Sequence, residues 1–279
     1  MHSITKGVYT VNILYYQVIQ NHILLTTIMF LTPLLTTVVF FVGLLIGSVG
    51  IGGVLLVPAL KFMGGVDLHS AIPACMLSYM VTGSVGALIY ARHGTINWSM
   101  ATKVCLGALP GAYIGAFLLP FFRADILEVF IAVLILASGA NSLMRKASGH
   151  QFTRDMENST PLLIIGLVAG IGSSLSGTGG PLLLIPILIW FKVPVLIAIG
   201  LSQVIQIPIS LSASVGNFLH GDIDIKLAAI LALTMVGGSL VGAKLVHRLP
   251  VDSLKKLVAW LLISVGLVML VRFYIVFQF

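Results

Sequence analysis

Two glycine-rich segments interrupt otherwise apolar stretches of the chain, and their backbone groups could bind a ligand. The first is GSVGIGG, Gly47–Gly53, and the second is SSLSGTGG, Ser173–Gly180. Glycine at this density opposes a continuous helix, so each stretch predicts two half-helices around a non-helical break. A half-helix that starts at such a break presents N–H groups and a partial positive charge to its surroundings. This is the chemistry that binds an anion.

The sequence places the half-helix starts at Val54 and Pro181, after the two glycine pairs. Proline suits a first helical turn because its missing N–H would have no partner there. Small residues at a break can also serve only to bring helices close together. Two breaks at equivalent positions favour the binding role over that one. The predicted substrate-binding residues of the breaks are Gly52, Gly53, Val54, Ser176, Thr178, Gly179, Gly180 and Pro181.

Three polar side chains in later apolar stretches join the predicted substrate site: Tyr79, Gln203 and Gln206. The two glutamines are three residues apart and therefore share one helical face. A buried amide is costly without a hydrogen bond, so either a ligand or a neighbouring helix must face them. The sequence leaves both possibilities open. Tyr79 aligns with Gln206 in the duplication described below, which favours the ligand.

Charged and metal-binding groups are absent from the centres of the apolar stretches. All eight carboxylates fall in loops or at the ends of predicted spans, so a proton relay built on an intramembrane acid is not expected. His93 and His220 occupy matched span ends, but no third ligand recurs with them. We therefore expect no metal and no cofactor. An intramembrane enzyme would need a nucleophile and base or a metal within the spans, and the sequence shows neither.

The composition excludes most soluble proteins. Hydrophobic residues make up 58% of the 279 residues, charged residues 8%, and the mean hydropathy is +1.12. Long apolar runs with short polar breaks predict an all-α, multi-pass membrane protein. The net charge of +7 comes from dispersed Lys and Arg, which record membrane orientation and do not form a nucleic-acid-binding face. The expected partners are the lipid bilayer and a small anion, and the oligomeric state is unknown.

The chain is a tandem duplication. Pro33 begins a segment that reads against the segment from Pro161, and both contain a glycine-rich break. His93-Gly94 aligns with His220-Gly221 at an offset of 127 residues. Glycines spaced by four residues recur in both copies and are interpreted as helix packing seams. The predicted division is an extra N-terminal helix (1–32), repeat 1 (33–144), a cytoplasmic linker (145–160) and repeat 2 (161–279).

The distribution of Lys and Arg decides between two topologies. If both interrupted segments cross, eight spans result, and the basic residues divide eight to seven between the two sides. If each interrupted segment is a re-entrant hairpin and residues 8–31 cross, seven crossings result. The division then becomes eleven to four, which obeys the positive-inside rule. The sequence therefore favours two inverted repeats, each with a broken re-entrant hairpin and three spans.

These motifs resemble the TauE/SafE sulfite exporter family, also called the TSUP transporters, from about Pro33 to the C-terminus. The resemblance lies in the Gly-Gly pairs followed by an apolar stretch and Pro58 or Pro186, the segment Gly94–Trp98, and the Gly-x-x-x-Gly-Ala seams. It implies a bacterial inner-membrane exporter of sulfite, a sulfonate such as sulfoacetate, or a related sulfur-containing anion. An anion channel and an intramembrane enzyme are the alternatives.

The seven-crossing topology predicts that Met156 is cytoplasmic and Phe279 lies on the opposite side of the membrane. Reporter fusions at the two positions, one reporter active only inside the cell and one active only outside, should give opposite signals. The same signal from both positions would instead support eight spans and parallel repeats.

Overall fold

The computed structural model describes residues 33–50, 52–144, 159–191, 193–245 and 251–278. The predicted helix within residues 1–32 and most of the predicted linker lie outside them. Within these ranges the regular structure is helical, without strands. Repeat 1 contains α1 (Pro33–Val49), a 3-10 turn (Gly52–Leu55), α2 (Leu56–Phe62), α3 (Leu68–Arg92), α4 (Trp98–Leu118) with a 3-10 turn (Leu119–Phe121), and α5 (Ala124–Met144). Repeat 2 contains α6 (Ser159–Ser176), α7 (Pro181–Trp190), α8 (Val195–His220), α9 (Ile225–Leu245) and α10 (Val251–Gln278).

The chain is an all-α, multi-pass membrane protein. Four helical segments of the described ranges are long and apolar enough to cross a membrane: Leu68–Arg92, Trp98–Phe121, Ile197–His220 and Ile225–Leu245. The sequence predicts three spans in each repeat, and α5 and α10 are the third long helices of their repeats. The half-helices are shorter: α7 has ten residues, or about 15 Å, which is half of a hydrocarbon core.

Each interrupted segment folds back on itself. In the first, Gly52 packs against Val42 and Ile46 of α1, while Gly64, after α2, lies near Leu35 at the start of α1. The segment after the break therefore runs antiparallel to α1. In the second, Gly172 of α6 lies against the Leu183 side chain near the start of α7, so this segment also reverses. The helix α7 begins at Pro181, as the sequence predicts.

The predicted start of the first half-helix at Val54 is wrong. The chain forms a 3-10 turn over Gly52–Leu55, and α-helix begins only at Leu56. The narrower 3-10 winding accompanies the reversal, in which the backbone at Gly52 must lie directly against α1. Only one of the two breaks is thus followed at once by an α-helix.

In each repeat, the first half-helix packs against a long helix of the other repeat. The helix α1 lies on α9 of the other repeat, and α6 lies on α4. Glycines allow this close approach: Gly43 and Gly47 contact the backbone of Met235 and Ser239, and Gly238 contacts the backbone at Phe40. Gly107 and Gly111 of α4 contact the backbone of Leu163 and Leu167 in the same way. The interpretation of Gly107, Gly111 and Gly238 as packing-seam residues is confirmed.

The contacts also fix the relative directions of the helices. The pairs α1/α9 and α4/α6 run parallel, since residue numbers rise together along each seam. The matched long helices run in opposite directions: Gly83 of α3 meets Gln206 of α8, and Gly86 meets Gln203. Likewise, Gly139 of α5 meets Ile263 of α10, and Gly266 meets Leu136. Antiparallel equivalent helices are what inverted repeats require, and the placement of the repeats in the membrane stays a prediction.

The repeated His-Gly-x-Ile-Asn/Asp segments end one long helix and start the next. Gly94 has φ +66°, a conformation that favours glycine after a helix. Asn97 accepts a hydrogen bond from the Met100 N–H (3.1 Å), and Asp224 accepts one from the Leu227 N–H (2.9 Å). Each is therefore the N-cap of its helix. These segments connect spans and lie outside the binding centre.

The α1/α9 seam predicts that substitutions at two adjacent glycines, Gly237 and Gly238, destabilise the protein to very different extents. A side chain at Gly238 would overlap the backbone of Phe40, whereas one at Gly237 would make only ordinary contact with the Phe40 ring, at 3.5 Å. We expect Gly238→Leu to lose at least about 1–3 kcal/mol by overpacking and Gly237→Leu to lose much less. Both variants are first checked for monodisperse elution in detergent. Their thermal unfolding midpoints are then compared with that of the unchanged protein. Equal stability of the two would contradict the seam.

Candidate functional site

The two breaks meet at the centre of the described bundle. A β-carbon at Gly53 would lie 2.9 Å from the carbonyl oxygen of Thr178 and 3.1 Å from the hydroxyl of Tyr79. Gly52, Gly53 and Val54 are buried, as are Ser176 and the residues from Thr178 to Pro181. The structure therefore brings the predicted residues of both breaks into one closed, solvent-excluded region.

Tyr79 connects the two breaks. Its hydroxyl donates a hydrogen bond of 2.7 Å to the carbonyl of Gly53, and its ring packs against Gly179. The side chain is 1% exposed. The single hydroxyl hydrogen of Tyr79 is already bonded to the carbonyl of Gly53. Tyr79 can therefore donate to an anion only after the contact with the first break opens.

The second break is stabilised largely by its own side chains. The Ser176 hydroxyl donates to the carbonyl of Gly172 (2.6 Å), and Thr178 Oγ1 lies 3.0 Å from Ser176 Oγ. The Thr178 N–H donates to Ser173 O (3.2 Å). The first hydrogen bond of α7 runs from Leu184 N–H to Gly180 O, so the N–H groups just before Leu184 have no acceptor inside the helix.

Two predicted glycines have mainly backbone roles. Gly52 faces its own α1 and not the second break. Gly180 has φ +117°, which strains any other residue, and a β-carbon there would lie 2.9 Å from Ile209. Substitution of Gly180 would therefore disturb the backbone before it tested ligand binding, and substitution of Gly53 would disturb the contact with Thr178.

The glutamines of α8 face α3, where Gly83 and Gly86 leave room for them. Gln203 Nε2 donates to the carbonyl of Ile46 (2.7 Å). The Oε1 atoms of Gln203 and Gln206 are buried and have no hydrogen-bond partner among the described residues. The Gln203 amide nitrogen is therefore bonded to a neighbouring helix. That a ligand contacts the two Oε1 atoms stays a prediction.

Side chains from α3 and α8 cap the end of α1, which the sequence did not reveal. Besides the bond from Gln203 to Ile46 O, the hydroxyl of Tyr90 lies 3.2 Å from Gly47 O and 3.3 Å from Ser48 O. The last carbonyls of a helix have no partner within it, so these bonds hold the tip of the first hairpin. The signal in the sequence was a tyrosine in an otherwise apolar stretch, and only the fold shows its acceptor.

Further buried polar groups surround the breaks. Within the described residues, six atoms besides the two glutamine oxygens lack a hydrogen-bond partner: the hydroxyls of Ser173, Ser174, Ser210, Ser214 and Ser239, and the amide nitrogen of Asn217. Buried polar groups normally have a partner in protein or ordered water. These groups would gain hydrogen bonds if water or a polar ligand reached them.

The described ionic groups lie away from this centre. Lys61 at the end of α2 pairs with Glu128 of α5, and Arg123 pairs with Asp125 (3.1 Å). No group of three potential metal ligands occurs among the described residues. A cavity of about 490 Å³ between the first hairpin and α10 is lined almost entirely by apolar side chains and suits hydrocarbon better than an anion.

Comparison with known proteins identifies the family of the chain. Residues 35–269 match the model of the family described as sulfite exporter TauE/SafE. The chain belongs to the TauE/SafE family. It is 26% identical to the probable membrane transporter protein YdhB of Bacillus subtilis over 221 residues, covering 76% of this chain and 89% of that protein. It is 27% identical to the probable membrane transporter protein MJ0441 of Methanocaldococcus jannaschii over 260 residues, covering 87% and 96%.

No solved structure matches the chain. The family and the relatives' names indicate a membrane transporter of the TauE/SafE family, a class that is distinct from enzymes. In this TauE/SafE transporter, the two helix breaks and Tyr79 form the centre of the bundle.

The hydrogen bond from Tyr79 to Gly53 predicts that removing the Tyr79 hydroxyl destabilises the protein. The same substitution at a second tyrosine, Tyr113, is the matched control. Tyr79→Phe leaves the buried carbonyl of Gly53 unpaired and should cost about 1–3 kcal/mol. Tyr113, by contrast, is 37% exposed, and its hydroxyl lies 3.3 Å from His220 Nε2, so Tyr113→Phe should change little. Thermal unfolding of the two purified variants checks this. An unchanged midpoint for Tyr79→Phe would mean that the bond does not hold the breaks together.

Proposed function

We propose that this TauE/SafE transporter exports a small sulfur-containing anion, such as sulfite or an organosulfonate like sulfoacetate, across the inner membrane. The observation that carries the proposal is the meeting of two helix breaks, one from each repeat, at Gly53 and Thr178. Transporters with repeated halves place their substrate sites at such breaks near the bilayer midplane.

Neutral groups would hold the anion. The N-terminus of α7 directs its partial positive charge into the region of the breaks. The hydroxyls of Ser173 and Ser174 have no partner within the described residues and can donate to an oxyanion. A site without a buried Lys or Arg can bind an anion weakly enough to release it, which a carrier must do in every cycle.

The closed packing favours alternating access over a permanent pore. Thr178 O lies against Gly53 and the Tyr79 hydroxyl donates to Gly53 O, so the two breaks are in direct contact. Substrate entry must therefore separate the two hairpin tips, which would free the Tyr79 proton for the anion. Antiparallel equivalent helices suit this mechanism, because two such repeats can open to opposite sides in turn.

Transport of sulfoacetate by reconstituted protein tests the proposal. We expect saturable counterflow that sulfite inhibits and choline does not, since helix N-termini and hydroxyls favour anions. Gln206→Met, which removes a central amide, should lower the rate more than about tenfold, whereas Lys103→Gln, at the edge of α4, should keep at least about a tenth of it, a barrier change below about 1.4 kcal/mol.

Rates are normalised to inserted protein in each case. Flux without saturation or counterflow would indicate a channel. Equal inhibition by choline would exclude the anion assignment, and loss of transport in Lys103→Gln with full activity in Gln206→Met would move the site to α4.

A further inference from the structure

A single face of α8 carries a row of buried polar side chains. Gln203, Gln206, Ser210, Ser214 and Asn217 lie within about 80° of one another on the helix and extend over about 21 Å. None is more than 9% exposed. The row starts beside the tip of the first hairpin, where Gln203 binds Ile46 O, and runs to the end of α8 near His220.

Most of this row has polar atoms without a hydrogen-bond partner among the described residues. The hydroxyls of Ser210 and Ser214 and the Asn217 amide nitrogen make no hydrogen bond within the described part of the chain. Leaving a buried polar group unpaired costs about 1–3 kcal/mol. Three such groups in succession on one helix face would be stabilised by any opening that lets water or a polar solute reach them.

The end of α6 brings further unpaired hydroxyls to the same level. Ser174 lies against Gly115 of α4, and the next residue of α4, Ala116, lies against Gly216 of α8. Gly216 directly precedes Asn217. Ser173 and Ser174 therefore sit at the depth of the last turn of the polar row, beside the second break. We call these five residues, Ser173, Ser174, Ser210, Ser214 and Asn217, the polar lane.

The equivalent face of repeat 1 lacks the row of unpaired polar groups among its described residues. By the offset of 127 residues, Gly83, Ala87 and Tyr90 of α3 occupy the positions of Ser210, Ser214 and Asn217. The first two have no polar side chain, and the hydroxyl of Tyr90 is within hydrogen-bonding distance of Gly47 O and Ser48 O at the tip of the first hairpin. Where repeat 2 leaves an amide nitrogen unpaired, repeat 1 has a tyrosine that binds the hairpin.

From this asymmetry we propose that the polar lane is the part of the protein that opens to admit water and anion to the centre, from the end of the bundle where α8 joins α9. The opposite end stays shut as long as Tyr90 holds the first hairpin. The assignment of the occupant as an anion rests on the proposed function, whereas the position of the path does not. In the predicted topology, the lane opens to the side opposite the cytoplasm.

Cysteine reactivity at one matched pair of positions tests the lane. Ser214 and Ala87 are repeat mates with nearly equal exposure, 9% and 8%. The background is Cys75→Ser with Cys105→Ala, which are the residues that repeat 2 carries at the equivalent positions. The probe is sulfonatoethyl methanethiosulfonate, itself an organosulfonate, applied to purified protein without any other anion substrate.

We expect Ser214→Cys to react at least about tenfold faster than Ala87→Cys, a difference of about 1.4 kcal/mol in activation free energy. Ser210→Cys is a second lane variant and should also exceed Ala87→Cys. Adding Tyr90→Phe to Ala87→Cys should raise its rate, because the first hairpin loses its hydroxyl contact. Every variant is required to elute as a monodisperse species before labelling.

Two outcomes separate the lane from the proposed function. Reaction of Ala87→Cys as fast as both lane variants, with Tyr90 present, would overturn the lane even if sulfoacetate is transported. Fast labelling of the lane by the cationic trimethylammonium-ethyl reagent at an equal rate, without protection by sulfoacetate, would support the path and overturn the anion as its occupant.

Discussion

The structure depends on satisfying the backbone where a helix is broken inside an apolar bundle. A carbonyl or N–H group left unpaired in hydrocarbon costs several kcal/mol, by about the same penalty that excludes lipid-exposed loops from membranes. Here the carbonyls at the first break accept hydrogen bonds from Gln203, Tyr90 and Tyr79, all on long helices. The second break uses Ser176 and its own backbone instead. The hydrogen bonds at the first break therefore come from the surrounding long helices, whereas those at the second break come mainly from its own hairpin.

Glycine seams make this arrangement a property of both repeats together. The helix α1 contacts α9 backbone to backbone, and α6 contacts α4 in the same manner. Neither hairpin is supported chiefly by the long helices of its own repeat. Such packing has little tolerance for side chains, because interiors at this density leave no space for an added methyl group. It follows that a shift of one hairpin must involve the long helices of the other repeat, which couples the two halves mechanically.

Local patterns in the sequence predicted the parts of the fold that neighbouring residues determine. The glycine density at Gly47–Gly53 and Ser173–Gly180 indicated the breaks, Pro181 indicated the start of α7, and the four-residue glycine spacing indicated the seams. The start at Val54 was wrong because the reversal against α1 imposes a 3-10 turn, a tertiary effect. The partners of Tyr79 and Tyr90 were likewise out of reach, since they lie 26 and 42 or 43 residues away on another element. The sequence identified the polar residues of the centre, but it did not show which of their donors are already hydrogen-bonded within the protein.

Duplication gives the two halves the same path, yet the side chains on it differ. A chain with identical halves would have equally stable states open to either side, and the substrate gradient alone would choose between them. Replacing an amide by a phenol at one pair of mates, Asn217 and Tyr90, removes that equality. Tyr90 bonds the first hairpin in this structure. If opening of that end separates the two, as we propose, these bonds lower the free energy of one state and not of the other. An inverted repeat can in this way keep symmetric architecture while a few hydrogen bonds set its resting direction.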